Sequence, residues 1–316
     1  MLSKTGLKIL DVLCSKREAT AKNLAAETGH SRKQIYRVVD DLLEAGLVDE
    51  TRRYRNQRVV RATDDPVVEA YRHLTSKLGH VDWPGLLSPA TIRVCWYLDE
   101  PHRVTAIADR LGITRQAVHK ALSPLKNRAM LALSGPDYAL ADDLQPLLVF
   151  VQEVVTHEHR TEVRKLAPSA TVEWCDPKRA LVHVQEPGDT DALQHAPDWE
   201  MTGLAKFQAY GLQFFLAGEP AFWYAPDNPL TPADIVCHTL VLEADSRNVS
   251  YAMLLIEQER IGEDKLTEAA SWYRIESLIK RIYQLIEGDY AATDDVGISV
   301  PSDREYAALK EQYGVA

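Results

Sequence analysis

Paired cysteines, a phosphate-cradling glycine loop and an apolar run of membrane length are all missing from this 316-residue chain. Cys14, Cys95, Cys175 and Cys237 stand alone, without the close pairing that zinc or thiol exchange requires. Cys14 and Cys95 fall in predicted helices, where a thiol serves as a small hydrophobe. No P-loop, G-x-S-x-G elbow or H-E-x-x-H is present, which removes the common nucleotide hydrolases, serine hydrolases and zinc peptidases. We therefore expect no catalytic residue and no cofactor. The most apolar segment, Leu144 to Val155, is broken by Gln145, Pro146, Gln152 and Glu153, so no membrane span is expected. Met1-Leu2-Ser3-Lys4 leads straight into a predicted helix rather than a signal peptide, and a cytoplasmic location is expected.

What is present is an internal repeat. Leu24-Ala25-Ala26-Glu27-Thr28-Gly29-His30-Ser31-Arg32-Lys33-Gln34-Ile35-Tyr36-Arg37-Val38-Val39 returns as Ile107-Ala108-Asp109-Arg110-Leu111-Gly112-Ile113-Thr114-Arg115-Gln116-Ala117-Val118-His119-Lys120-Ala121-Leu122, at an offset of 83 residues. The chemistry of each position repeats: apolar lead, small Ala, turn Gly, hydroxyl cap, Arg, then helical apolar period. Gly29 and Gly112 fall where one helix must stop, a position that usually needs positive φ. Ser31 and Thr114 are expected N-caps, and Gln34 is placed to complete a capping box with Ser31. Ala117 denies the second copy that box. This is how a helix-turn-helix reads in sequence.

Around the second helix of the first copy, Ile35, Val38, Val39, Leu42 and Leu43 make an apolar stripe, while Arg32, Lys33, Tyr36 and Arg37 fall on the other side. Downstream, Ala45 to Glu50 and Gln57 to Arg61 read as two strands about a polar bend at 52–56, which adds a wing. Arg52, Arg53, Arg55 and Arg58 crowd its tip, and such a group of guanidiniums suits phosphates or a narrow minor groove. The second copy keeps Arg115, Gln116, His119 and Lys120 on its helix, but its hairpin turn, Ser134-Gly135-Pro136-Asp137, holds no Lys or Arg. Whether that copy touches DNA is left open. Residues 1–62 carry thirteen Lys and Arg against eight Asp and Glu, +5 locally within a chain of net charge −10, so the remainder holds −15. That asymmetry favours a polyanion approached with the N-terminal end leading.

The rest of the chain extends this plan. Residues 66–78 read as a helix, and Ser88-Pro89 starts the second unit as a cap followed by a first-position proline. Asp142 to Leu166 reads as one long helix, the element through which a homodimer is expected. From residue 168 a different, α+β domain follows, with strands at 170–174, 180–184, 212–216 and 221–224 and a short helix at 202–212. Further helices are expected from Thr231 to Val241 and unbroken over 264–287, while Tyr251 to Gln258 reads as either helix or strand. The expected architecture is mainly α with small sheets: winged helix-turn-helix domains at 1–63 and 87–142, a helical linker at 64–86, a long helix at 143–167 and an α+β domain at 168–316. In that last domain Phe207, Tyr210, Phe214, Phe215, Phe222, Trp223 and Tyr224 could be core or pocket lining, with His238, Glu243 and Arg247 as candidate polar anchors for a small-molecule or protein effector. His157-Glu158-His159 is poor metal spacing on a helix, and Gly188-Asp189-Thr190-Asp191 lacks the surroundings of a nucleotidyltransferase.

The two units resemble winged helix-turn-helix transcriptional regulators of the MarR and ArsR kinds, and the whole chain resembles tandem-module regulators of halophilic archaea. The resemblance rests on Ser31 to Arg37, on Leu87-Ser88-Pro89-Ala90-Thr91-Ile92-Arg93-Val94-Cys95-Trp96-Tyr97-Leu98-Asp99-Glu100-Pro101 and on Thr114 to Leu122. More faintly, Thr202 to Leu212 with Leu230 to His238 is similar to the C-terminal part of AbiEi-type antitoxins, which repress their own operons. The resemblance implies a sequence-specific regulator that binds double-stranded DNA. An antitoxin-like autorepressor or protein-interaction module, a plasmid replication initiator and a nucleotide-acting enzyme remain the alternatives.

Overall fold

The computed structural model describes residues 2–54, 57–214, 220–225, 229–289 and 301–315, with the backbone alone at 52–54 and 57. The chain is mainly helical with three small antiparallel sheets. It divides into two units, Met1–Thr161 and Glu162–Ala316, with the division inside a long helix.

The N-terminal unit opens with α1 (Lys4–Ser15), β1 (Ala19–Thr20), α2 (Ala21–Thr28), α3 (Arg32–Glu44), β2 (Val48–Tyr54) and β3 (Gln57–Ala62). The stripe expected on α3 faces inward: Ile35, Val38, Val39 and Leu42 are buried with Leu7, Leu10, Leu13 and Leu24. Full burial of such a side chain is worth about 1.5–3 kcal/mol, which makes this stripe the main tie between α3 and the unit. The sheet order is β1-β3-β2. β2 runs through Arg52 and Arg53 to Tyr54, paired with Gln57, so this strand is longer than the sequence pattern implied.

After α4 (Pro66–Lys77) and α5 (Trp83–Leu86), the same order of elements returns: α6 (Pro89–Cys95), β4 (His102–Arg103), α7 (Val104–Leu111), α8 (Arg115–Lys126), β5 (Leu131–Ser134) and β6 (Asp137–Leu140). The second sheet has the order β4-β6-β5, strand for strand the arrangement of the first. The repeat is therefore one of topology as well as sequence. Segment 64–86, expected as a linker, also supplies core: Tyr71 and Trp83 are fully buried, and the Tyr71 hydroxyl donates to Asp11 Oδ1 on α1 at 3.0 Å.

A 3-10 turn at Asp142–Leu144 leads into α9 (Gln145–Leu166). Its Phe150 lies 5.2 Å from the Tyr71 ring, centroid to centroid, and Leu147, Leu148, Val151, Val154, Val155 and Val163 are buried. Of its large apolar side chains only Val149 and Leu166 are exposed. The apolar residues on which the expected dimer seam rests are thus already covered within one chain.

The C-terminal unit holds β7 (Thr171–Cys175), β8 (Ala180–His183), α10 (Pro187–His195), β9 (Trp199–Thr202), β10 (Ala221–Tyr224), α11 (Pro232–Leu242), α12 (Ser246–Gln258), α13 (Glu263–Ser271), α14 (Glu276–Ile286) and α15 (Asp303–Tyr313). Its sheet has the order β7-β8-β10-β9, and its core is built largely from α11 to α14. Several sequence expectations are corrected here. The helix expected over 264–287 is two helices, because Arg274 takes a φ of 59° that no helix interior accommodates. Tyr251 to Gln258 is helical, as part of α12, and the helix at 203–210 is 3-10. Leu212 to Phe214 is not strand and Phe215 lies outside the described residues; β9, which the sequence pattern does not announce, pairs with β10 instead.

Candidate nucleic-acid interface

The geometry of α2 and α3 is set by three residues in sequence. Gly29 has a φ of 72°, and its N–H donates to Ala25 O, so α2 ends in the left-handed turn expected of it. Ser31 is extended and its hydroxyl accepts from Gln34 N at 3.3 Å, starting α3. The capping box does not close. Gln34 Nε2 instead donates to Thr5 Oγ1 at 3.2 Å, because α1 packs beside α3 and brings that hydroxyl within reach. Thr5 Oγ1 also lies 3.4 Å from His30 Nε2. Half-buried Gln34 is thereby engaged within the fold.

Arg32, Lys33, Tyr36 and Arg37 lie on the opposite, exposed side of α3. Among the described residues, no ion pair involves Arg32, Lys33 or Arg37. Three exposed cations on one helix that are not held in such pairs present a surface to an external anion. Tyr36, 38% exposed, stands among them as an aromatic plate with a polar tip.

Of the four arginines that the sequence crowds at this hairpin, Arg58 is engaged within the fold. Arg58 is not alone: its guanidinium pairs with Asp40 on α3, and its Nε lies 2.9 Å from Glu50 Oε2 on β2. Arg61 Nη2 reaches Asp49 Oδ2 at 3.4 Å. Arg58 therefore ties hairpin to helix, a role hidden from sequence because its partner stands 18 residues away. Arg52 and Arg53 lie on β2, opposite Val59 and Arg58, while Arg55 lies outside the described residues. A bulge between Glu50 and Arg52 shifts the register of this arm.

In the second copy of the repeat Gly112, at a φ of 64°, ends α7, and the Thr114 hydroxyl accepts from Ala117 N at 3.2 Å. Arg115, Gln116, His119 and Lys120 are exposed on α8, and again no ion pair among the described residues includes Arg115 or Lys120. The following hairpin turns at Gly135 and Pro136, with Ser134 opposite Asp137. Leu133 is 63% exposed, the most exposed large apolar side chain among the described residues. The helix meets the hairpin through Tyr138, whose ring lies 6.4 Å from the His119 ring and 5.7 Å from Lys126 Nζ.

The remaining candidates resolve into structure. His157 Nδ1 lies 3.3 Å from Asp65 Oδ2, and no group of three or more metal-ligating side chains occurs among the described residues. Asp189 Oδ2 accepts from Ser169 N at 2.7 Å, tying α10 to the loop before β7. His238 is fully buried in an aromatic box: its Nδ1 lies 2.8 Å from Thr202 Oγ1 and its Nε2 2.9 Å from Tyr273 OH, with the Trp223 ring 4.3 Å away. Glu243 and Arg247 lie nearer the surface and do not converge on it. Burial pushes the thiols of Cys14 and Cys95 up, to about 11 and about 12, so neither is a nucleophile near neutral pH.

Comparison with known families agrees with this geometry. Residues 2–65 match the model of the sugar-specific transcriptional regulator TrmB, and residues 196–315 match a family of C-terminal domains, HVO_2833_C. None of the curated proteins matches the chain. The matched regulator family is TrmB, rather than the MarR and ArsR kinds. The N-terminal segment is thus a helix-turn-helix of transcriptional-regulator type, which supports DNA binding, and a C-terminal domain follows it. No helix among the described residues is long and apolar enough to cross a membrane.

Proposed function

We propose that the chain is a sequence-specific transcriptional regulator of double-stranded DNA, and that its N-terminal fold, at 1–63, works as a winged helix-turn-helix. The observation that carries this reading is the exposed row of Arg32, Lys33 and Arg37, without an ion pair among the described residues, on α3, the third helix of a segment that matches a transcriptional-regulator family. α3 enters the major groove, where Arg32, Lys33 and Arg37 reach base edges and phosphates and Tyr36 packs on the sugar-phosphate edge. Arg52, Arg53 and Arg55 on the wing hold the flanking backbone. Arg58 sets the wing's angle through Asp40 and Glu50. Gln34, spent on Thr5, reads no base.

The acidic C-terminal unit repels a polyanion and serves in this reading as the effector or partner domain. The sugar in the matched family's name is not carried over, because that match ends at residue 65. The chain performs no catalysis in this scheme.

Genome-wide mapping of bound sites, followed by anisotropy on the recovered sequence, tests the proposal. The expected result is a small set of enriched sites and binding that Lys33→Ala with Arg37→Ala weakens on the order of a hundredfold. Absence of enrichment, or equal affinity for the recovered duplex and for competitor DNA, overturns it.

A further inference from the structure

We propose that α8 is a second DNA-reading helix, so that one chain engages a bipartite site made of two unlike half-sites. The inference rests on the regulator reading above and extends it to a surface which that reading does not use. Its first support is the duplication of the fold: α8 occupies the place in the sheet order β4-β6-β5 that α3 occupies in β1-β3-β2. Its second is positional. At the offset of 83 residues, Arg115 stands for Arg32, Gln116 for Lys33, His119 for Tyr36 and Lys120 for Arg37. All four are exposed, and among the described residues Arg115 and Lys120, like Arg32 and Arg37, are in no ion pair.

Charge supplies a third, independent support. Residues 87–142 hold seven Lys and Arg against five Asp and Glu, so this unit is net +2, whereas residues 143–316 carry −15. Residues 63–86 carry only −2, so the strong acidity that disfavours a polyanion begins after the second hairpin. A duplex attracted to α3 therefore meets no net repulsion from the unit bearing α8.

The two heads are unlike in grip. The second hairpin ends in Leu133, Ser134, Gly135 and Pro136 and has no cation at its tip, so α8 contacts DNA without a backbone-holding arm. Its half-site is read by Arg115, Gln116 and Lys120, with fewer phosphate contacts and a shallower salt dependence than the first. Because the large apolar residues of α9 are mostly buried within the chain, two heads in one chain supply the paired recognition that other regulators obtain by dimerising.

The test uses the full chain and a duplex selected by it from random sequence, with footprinting, anisotropy at several salt concentrations and the mass of the complex. Arg115→Ala with Lys120→Ala is expected to lower affinity about tenfold, remove protection from one flank only and flatten the salt slope by about one or two. Gln116→Ala is expected to relax base preference in that flank alone, and the complex is expected to contain one chain. These side chains are exposed, and unchanged circular dichroism will show that the variants fold. An unaltered footprint, affinity and slope in the double variant, or a complex with two chains in which each protects one flank through α3, overturns the inference. Failure of the wild-type chain to select any sequence instead overturns the regulator reading. Weakened binding in Lys33→Ala with Arg37→Ala beside an unchanged affinity in the α8 variant overturns the second head alone.

Discussion

Helices α3 and α8 begin alike, with a left-handed glycine, an extended hydroxyl residue and an arginine, and the hairpins that follow them are opposite in character. In the first, Arg52, Arg53 and Arg58 lie on the two paired strands, and Arg58 is locked to the helix through Asp40. In the second the turn is uncharged, an apolar Leu133 stands out to solvent, and the helix meets its hairpin through the Tyr138 ring. The difference teaches that duplicated topology keeps its caps and core while its surface chemistry drifts. Caps and core are demanded by the backbone and by burial; surface cations answer only to a partner.

The sharpest way to break this comparison is to remove the helix cations of the first unit. Lys33→Ala with Arg37→Ala is expected to cost on the order of a hundredfold in affinity, from two contacts each worth about 1–3 kcal/mol if they read bases. Anisotropy on the selected duplex checks it; a smaller loss than in the α8 double variant inverts the assigned ranking of the two units. Arming the second hairpin sharpens the contrast from the other side. Leu133→Arg with Ser134→Arg is expected to raise affinity for all duplexes several-fold and steepen the salt slope by about one for each phosphate newly reached. An unchanged slope will place that hairpin away from DNA.

Arg58 provides a subtler test. Arg58→Ala leaves Asp40 and Glu50 facing the approaching duplex without their cation, so binding to every sequence is expected to fall a few-fold, while thermal stability moves by about 1 kcal/mol or less because the pair is part-exposed. Adding Asp40→Ala is expected to recover part of the affinity, and no recovery will show that Arg58 itself touches phosphate. The smallest effect is expected at Gln34: Gln34→Ala loses the bond to Thr5, costing about 0.5–1.5 kcal/mol in denaturant unfolding, with base preference intact. A changed preference in a selection assay will make Gln34 a reader after all.

Features set by near neighbours in sequence are legible from the order of residues alone. The caps at Ser31, Thr114 and Ser88, the stops at Gly29 and Gly112 and the buried stripe of α3 all follow from residues a few places apart. Features that depend on distant packing are not. Gln34 finds a hydroxyl 29 residues away, and His238 is fixed by Thr202 and Tyr273, 36 and 35 residues off. The break between α13 and α14 is hidden for a different reason: the apolar period runs through it, and the positive φ falls on Arg274, a residue type that gives no warning. The site is legible as a list of exposed basic residues, but not in its division between free cations on the helices and a tethered one on the hairpin.

The tether has a consequence for the thermodynamics of recognition. With Arg58 clamped to helix and strand, the loss of freedom in setting the hairpin's pitch is borne during folding rather than at encounter, so less ordering remains to be done when a ligand arrives. The first unit is thereby preorganised, and its association rate is expected to respond to ionic strength more than to any rearrangement of its own.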